Sequence, residues 1–374
     1  MRPLSVHFKE IRNNGWSEFI RKINRFCAEN KLVVTWIPFF FSLLISLVWS
    51  LPLIILIRGL SPLVLIRIGS TLSNRIGHFA FDGAEQLARL NKQPVNTVDL
   101  FWIEEPSCNQ QWAKMVKRNL PVYSWVKYLD LWNRILPGGE KHQRPSSLTG
   151  SRDIEGLFQT TSDKLEFLPD EIETAKAWLR RQGWKEGEPF VCLMVRDLAY
   201  LSQDPLQNSS YGPGHIYHNF RDSDIETFIP AMKWLTAQGV WVLRMGKIMK
   251  KPISITHKRI IDYAFHPEKS DSLDIWLFAN CDLCITTGTG ADSISEVFKR
   301  PILDINFTPL LHIRTYEDTV TVSKNLFWEN SGVALNCREY LEHSYQHSKH
   351  YEDRGIKIVD LDSTMILKTV QETW

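Results

Sequence analysis

Residues 282–306 read DLCITTGTGADSISEVFKRPILDIN. A short apolar run, 283–286, gives way to a Thr/Gly turn, then to a helical stretch near 292–298, then to a second apolar run at 302–305. Strand, glycine-rich loop, helix and strand in that order form a crossover unit, which joins parallel strands. The same alternation extends on the N-terminal side. Residues 190–195 (FVCLMV) read as a strand, and 202–218 as a long Gly/Pro/Ser/Asn loop. Ser223 with Glu226 has the spacing of a capping box, starting a helix that runs to Gln238 before Gly239. Further strands are expected at 240–243 and 260–263, with a helix near 273–280.

The first half carries a similar pattern. A buried strand at 63–68 (LVLIRI) is followed by the loop GSTLSNRIG, a helix at 78–90, a strand at 98–103 and a helix at 110–119. Residues 122–125 and the amphipathic 126–136 repeat the alternation, ended by Pro137-Gly138-Gly139. The polar stretch 141–156 reads as loop, and 170–182 as a helix closed by Gly183, with the hinge between halves just after it. Alternating strands and helices predict an α/β chain with parallel sheets covered on both faces, two Rossmann-like domains facing a cleft. The expected divisions are 1–60, 61–185, 186–335 and a helical C-terminal extension, 336–374, packed back on the core.

The net charge of +2 over 374 residues argues against nucleic acid as a main partner. Charge is uneven, however: residues 1–31 carry seven Lys/Arg against three Glu. Directly after them, 33–57 is free of charge. As a helix that segment would be roughly 37 Å long, enough for a hydrocarbon core of about 30 Å. A basic arm before an apolar segment suits an anionic membrane surface. Pro38 and Pro52 suggest a helix broken into a re-entrant hairpin, although a single span remains the competing reading. The six Cys are scattered, and Cys281-x-x-Cys284 at a strand edge reads as buried free thiols in a reducing compartment. Fourteen Trp could stack on sugar rings, pack a core or sit at a membrane interface.

Ligands of parallel sheets bind beyond the carboxyl ends of the strands, so polar residues placed there are the site candidates. The strongest set is Thr287, Gly288, Thr289 and Gly290 with Ser293, whose glycines admit a close ligand and whose hydroxyls donate to phosphate. It is neither a Walker loop nor a dinucleotide fingerprint. Arg196-Asp197 follows the strand 190–195 and offers a bidentate cation, or merely a local ion pair. His218, Asn219 and Arg221 precede the capped helix, while Arg244 and Gly246 follow the strand 240–243. Asp222-x-Asp224 and Asp360-x-Asp362 match the D-x-D pattern of metal-dependent sugar transferases, but acidic residues at helix starts are ordinary dipole complements. In the first half, Arg75, Gly77 and His78 open a helix that carries Asp82 and Glu85. A neutral imidazole there could take a proton from an acceptor hydroxyl, or serve only as a structural hydrogen-bonding group.

RIGHFAFD, FVCLMVRDLAYL, HNFRDSDIETFIPAMKWL, GVWVLRMG and the opening stretch together resemble a group of bacterial glycosyltransferases found with surface-polysaccharide genes. The second half is more distantly similar to lipopolysaccharide heptosyltransferases. The resemblance spans roughly 63–310 and implies a GT-B fold with an acceptor domain first and a nucleotide-sugar domain second. It also implies no obligatory metal or cofactor, with the nucleotide sugar as co-substrate. Under it, Thr287–Gly290, Arg196 and Arg221 would meet the donor diphosphate, and Gly77-His78 would face the sugar. Heptosyltransferases usually carry an acidic base near that first loop, and here the position reads Gly-His, leaving His78 and Asp82 as alternatives. The implied activity is sugar transfer to a hydroxyl of a lipid-linked or polysaccharide acceptor at the cytoplasmic face of the inner membrane. The alternative is a non-catalytic glycan- or nucleotide-binding subunit of an assembly complex.

Overall fold

The structure is a computed structural model that describes residues 31–90, 92–161, 165–204 and 219–374, with backbone alone for 31–40. The expectation for His218 lies outside the described residues, as do the basic arm up to residue 30 and most of the long loop at 202–218.

Helix α1 (Lys31–Gly59) leads into strand β1 (Leu65–Thr71), helix α2 (Ile76–Leu90) and strand β2 (Thr97–Ile103). Helices α3 (Gln110–Asn119) and α4 (Val126–Ile135) precede a two-residue strand, β3 (Gln143–Arg144). These strands form a parallel three-stranded sheet of order β2-β1-β3. Two expectations change here. Residues 122–125 form no strand, because Val122 makes a single parallel bridge to Phe101 before the chain turns into α4. The polar stretch 141–156 is not all loop, since β3 joins the sheet there even though Arg144 faces a buried ion pair rather than an apolar core.

Helix α5 (Pro169–Arg181) then packs Trp178 edge-on against Tyr263 and His266, so it covers the second sheet. That sheet comprises β4 (Phe190–Met194), β5 (Trp241–Arg244), β6 (Ile260–Ile261), β7 (Leu283–Thr286), β8 (Ile302–Phe307) and β9 (Thr319–Ser323). Its order is β6-β5-β4-β7-β8-β9 and every pairing is parallel. This is the Rossmann order, which reverses direction between β4 and β7. Strand β4 shows why both faces are covered. Phe190 and Cys192 enter one apolar cluster with Trp241 and Trp276, while Val191 and Leu193 enter another with Phe228 and Leu235. Alternate residues of a strand point to opposite faces, so an all-apolar strand needs two covers. The covers include α6 (Ile229–Ala237) and α7 (Asp271–Asn280), with α8 (Ser293–Val297) between β7 and β8.

The capping box expected at Ser223 is replaced by another cap. Asp224 accepts from the Glu226 N–H at 3.2 Å and starts a short 3-10 turn ahead of α6, while Ser223 Oγ accepts from Asn306 Nδ2. Only 260–261 of the strand expected at 260–263 is extended, because Tyr263 begins another 3-10 turn. The C-terminal extension is not purely helical. Within it β11 (Ile356–Val359) pairs antiparallel with β10 (Asn325–Trp328), which precedes it, and α9 (Ser363–Thr373) buries Ile366 and Val370 in the cluster under α6.

Helix α1 runs unbroken through Pro38 and Pro52, which overturns the hairpin expectation. Ser46, Ser50, Ile54 and Ile57 are buried at helical spacing, whereas Pro52 lies on the exposed side. Ile54 and Ile57 meet Val126 and Leu129 of α4, each buried isoleucine contributing about 1.5–3 kcal/mol. Trp132 Nε1 donates to Ser46 Oγ at 3.1 Å. Arg58 donates to the Leu136 and Pro137 carbonyls at the end of α4, at 3.1 and 2.5 Å. The opposite face of α1 exposes Phe41, Leu44, Val48 and Ile55, and 41–59 is long and apolar enough to cross a membrane.

Candidate active site

Where the strand order of an open parallel sheet reverses, the two flanking loops diverge and leave a crevice. Here those loops follow β4 and β7, and they are Arg196-Asp197 and Thr287–Gly290. The crevice is part of a cavity of about 610 Å³ that is closed on its far side by Arg75, Gly77 and His78.

The β7 loop is built by one carboxylate. Asp292 accepts from Thr286 Oγ1 at 2.8 Å and from the Thr289 N–H at 2.6 Å. Gly288 at φ +75° makes the turn, and a β-carbon there would lie 2.9 Å from the Phe307 ring. Thr287 points inward, accepting the Arg196 N–H at 2.9 Å, and so ties the two loops together instead of lining the cavity. Thr289 and Ser293 do line it, and Thr289 Oγ1 is buried with no hydrogen-bond partner among the described residues.

Two cations stand beside this loop. Arg196 Nε donates to Asp222 at 3.2 Å. Arg221 Nη2 donates to the Gly288 carbonyl at 2.8 Å, while its Nε is buried with no acceptor among the described residues. Burial, then the charge on Arg196, pulls the Arg221 guanidinium down to about 10. Both arginines line the cavity. A guanidinium left partly unsatisfied next to a second cation is a demand for an anion.

Behind the loop, Arg314 holds three buried carboxylates: Asp292 and Glu296 at 2.5 Å and Asp304 at 3.2 Å. Burial alone would lower the Arg314 pKa, but Asp292, Asp304 and Glu296 raise it well above the ordinary value. Asp304 is itself pushed up to about 7 by burial, against the pull of Arg314.

Across the cavity, α2 presents its first turn. His78 Nδ1 lies 2.7 Å from Ser151 Oγ, and Ser151 Oγ donates to Asp82 Oδ1 at 2.7 Å. Asp82 is completely buried and does not line the cavity, whereas His78 and Ser151 do. Burial, then Arg75, lowers the His78 pKa and keeps the ring neutral. Burial raises Asp82 to about 7, with Glu85 adding to the rise and Ser151 opposing it.

Other residues singled out in the sequence have structural partners. Asp197 borders the cavity but accepts from the Ala199 and Lys250 N–H groups. Arg244 is buried against Asp262 and the Lys251 carbonyl, away from the cavity, although Gly246 lines it. Asn219 is exposed outside it. Both D-x-D pairs are occupied, Asp222 with Arg196, Asp224 with Lys251, Asp360 with Lys324 and Asp362 as the cap of α9. Sequence reading missed Ser151 and Arg314, together with an apolar end of the cavity formed by Met194, Met245, Met249 and Phe278. No Trp among the described residues lines the cavity, so the sugar-stacking reading of the Trp count does not apply there.

No family model and no curated protein matches this sequence. Solved structures do. The chain is similar to a glycosyl transferase of family 9 from Veillonella parvula, at 10% identity and a TM-score of 0.46, covering 83% of this chain and 97% of that one. It is similar to the ADP-heptose lipopolysaccharide heptosyltransferase II of E. coli, at 10% identity and 0.44, covering 82% and 98%. A third likeness is to an E. coli heptosyltransferase solved with ADP, at 11% identity and 0.33, covering 77% and 98%.

Proposed function

We propose that this protein is a glycosyltransferase, moving a sugar from a nucleotide-sugar donor to a hydroxyl of a lipid-linked or polysaccharide acceptor. One observation carries the reading: a cationic, hydroxyl-bearing rim at the β4/β7 reversal faces a neutral histidine across a single cavity. The second sheet is then the donor side, 186–335, and the first the acceptor side, 61–185. Arg196, Arg221 and the Thr289 and Ser293 hydroxyls take the diphosphate, where negative charge grows as the bond to the sugar breaks. These side chains already supply the positive charge, so the reading requires no metal or cofactor. His78, neutral at physiological pH, takes the proton of the attacking hydroxyl.

The exposed face of α1 and the basic arm, 1–31, attach the protein to the cytoplasmic face of an anionic membrane, where nucleotide sugars are available and a lipid-linked acceptor can be reached. Donor consumption over a panel of nucleotide sugars, with a lipid-linked acceptor added, tests the reading. Consumption of at least one donor is expected. Binding of a nucleotide sugar without consumption under any acceptor would instead mark a non-catalytic subunit.

A further inference from the structure

We propose that Ser151 joins His78 to Asp82 as a proton relay, so that the proton taken from the acceptor hydroxyl is finally held on the buried Asp82 carboxylate. The inference rests on the transfer reading and says how its base works.

The hydrogen bonds fix a direction. Ser151 has one hydroxyl proton and donates it to Asp82 Oδ1, so at its oxygen it accepts from His78. His78 therefore carries its proton on Nδ1, and the Nε2 lone pair is the free basic position of a ring that lines the cavity. When the acceptor oxygen bonds to the sugar carbon and the diphosphate leaves with the old bonding pair, the hydroxyl proton goes to His78 Nε2. The Nδ1 proton passes to Ser151 Oγ, and the Ser151 proton passes to Asp82 Oδ1. His78 and Ser151 each end with as many protons as they began with, the imidazole proton having moved from Nδ1 to Nε2, while the acceptor hydroxyl has lost one proton and Asp82 has gained one.

The surroundings suit that end point. Asp82 Oδ2 is buried with no hydrogen-bond partner among the described residues, and only the Ser151 and Ser147 hydroxyls, not a paired cation, favour the ionised form against burial. Its pKa of about 7 lets it accept a proton near neutrality. The loop that brings Ser151 is itself anchored to α2. Glu85, one turn beyond Asp82, accepts from the Leu148 N–H at 3.2 Å, and Ser147 Oγ accepts from the Ser151 N–H at 2.8 Å. Ser151 has φ +58°, a conformation costly for a side chain and consistent with a hydroxyl held where it is needed. The other charged groups acting on the relay are Arg75, which borders the cavity beside His78, and Glu85, which adds to the rise at Asp82 and pairs with Arg89.

Two measurements test the relay. The first needs no substrate: ¹⁵N-histidine spectra of the full chain, with His78 assigned from a His78→Gln variant, report which ring nitrogen bears the proton. The relay requires the Nδ1–H form in the wild type, and the Nε2–H form would overturn it. The second compares kcat against pH for Ser151→Gly, which also relieves the positive φ, for Asp82→Asn, and for the double variant. Each single variant should lose about 10- to 100-fold in kcat. The double should lose no more than the worse single, because the residues act as one unit. The acid limb, near pH 7 in the wild type, should move to lower pH in Ser151→Gly, where His78 titrates alone with its lowered pKa. Additive losses with an unmoved acid limb mean that Ser151 only packs the loop. A wild type that consumes no donor ends the transfer reading itself, and the tautomer still decides whether the hydrogen-bond chain exists.

Discussion

Gly77 and Gly290 meet backbone to backbone: a β-carbon on Gly77 would lie 2.8 Å from Gly290 Cα, and one on Gly290 would lie 3.0 Å from the Gly77 nitrogen. The start of α2 and the loop after β7 are thereby set too close for a β-carbon at Gly77 without a shift of backbone. That contact fixes the distance between the proposed base and the proposed diphosphate site. Neither glycine has a positive φ, so close approach alone explains the residue type.

Gly77→Ala should push the two loops apart while leaving each intact. We expect kcat to fall at least about 10-fold, since a displacement of about 1 Å at a reacting centre costs up to about 100-fold. Nucleotide affinity, proposed to reside on the second sheet, should change little. Steady-state kinetics and calorimetry on the same preparation check this, and an equal loss in both would contradict it.

The two threonines of the loop should behave differently. Thr287→Val leaves the part-buried Arg196 N–H without its acceptor and should cost about 1–3 kcal/mol of stability. Thr289→Val removes a hydroxyl that has no partner among the described residues, so stability should hold while donor affinity falls. Denaturant unfolding read beside calorimetry distinguishes them.

Replacing Arg314 with Met strands three buried carboxylates, and the expected cost is about 3–5 kcal/mol. The pH dependence has a definite sign. Asp304 has a raised folded pKa, so the folded state binds protons more tightly than the unfolded chain, and stability falls as pH rises between about 4 and 7. Without Arg314 that fall should steepen and extend to higher pH. Melting temperatures between pH 5.5 and 8 measure it, and a variant no more pH-sensitive than the wild type would contradict the role given to Arg314.

Much of this was legible in the sequence, and the reasons are local. Residues 282–306 announce strand, turn, helix and strand through turn chemistry and apolar runs, and the structure follows them within a residue or two. Arg196 and the Thr-Gly loop could be singled out because each directly follows a strand. Ser151 could not, because it reaches Asp82 from 69 positions away on a polar loop with no periodicity. Arg314 likewise lies in an irregular segment after β8, and nothing in its neighbours marks three buried carboxylates waiting for it. The prolines of α1 misled for a different reason. Pro52 sits on the exposed side, and the contacts through Ile54, Ile57 and Arg58 hold the helix against α4 beyond it.

Those same contacts set how the apolar helix α1 can be cut. Deleting 1–45 should lower membrane partition while preserving a soluble, folded protein. Deleting 1–58 should also uncover Val126 and Leu129 and remove Arg58 from the end of α4, and the product should aggregate. Flotation with anionic vesicles and size-exclusion chromatography read the two outcomes. A soluble, stable 1–58 deletion would mean that α1 contributes nothing to the core.

If the crevice between β4 and β7 holds the diphosphate of a nucleotide sugar, calorimetric titration of wild type and Arg196→Ala with the consumed donor will show it. Arg196→Ala should weaken donor binding by about 10- to 100-fold, equivalent to about 1.5–3 kcal/mol for a hydrogen bond to a charged group, with the fold unchanged. Equal affinity in the two proteins would contradict it.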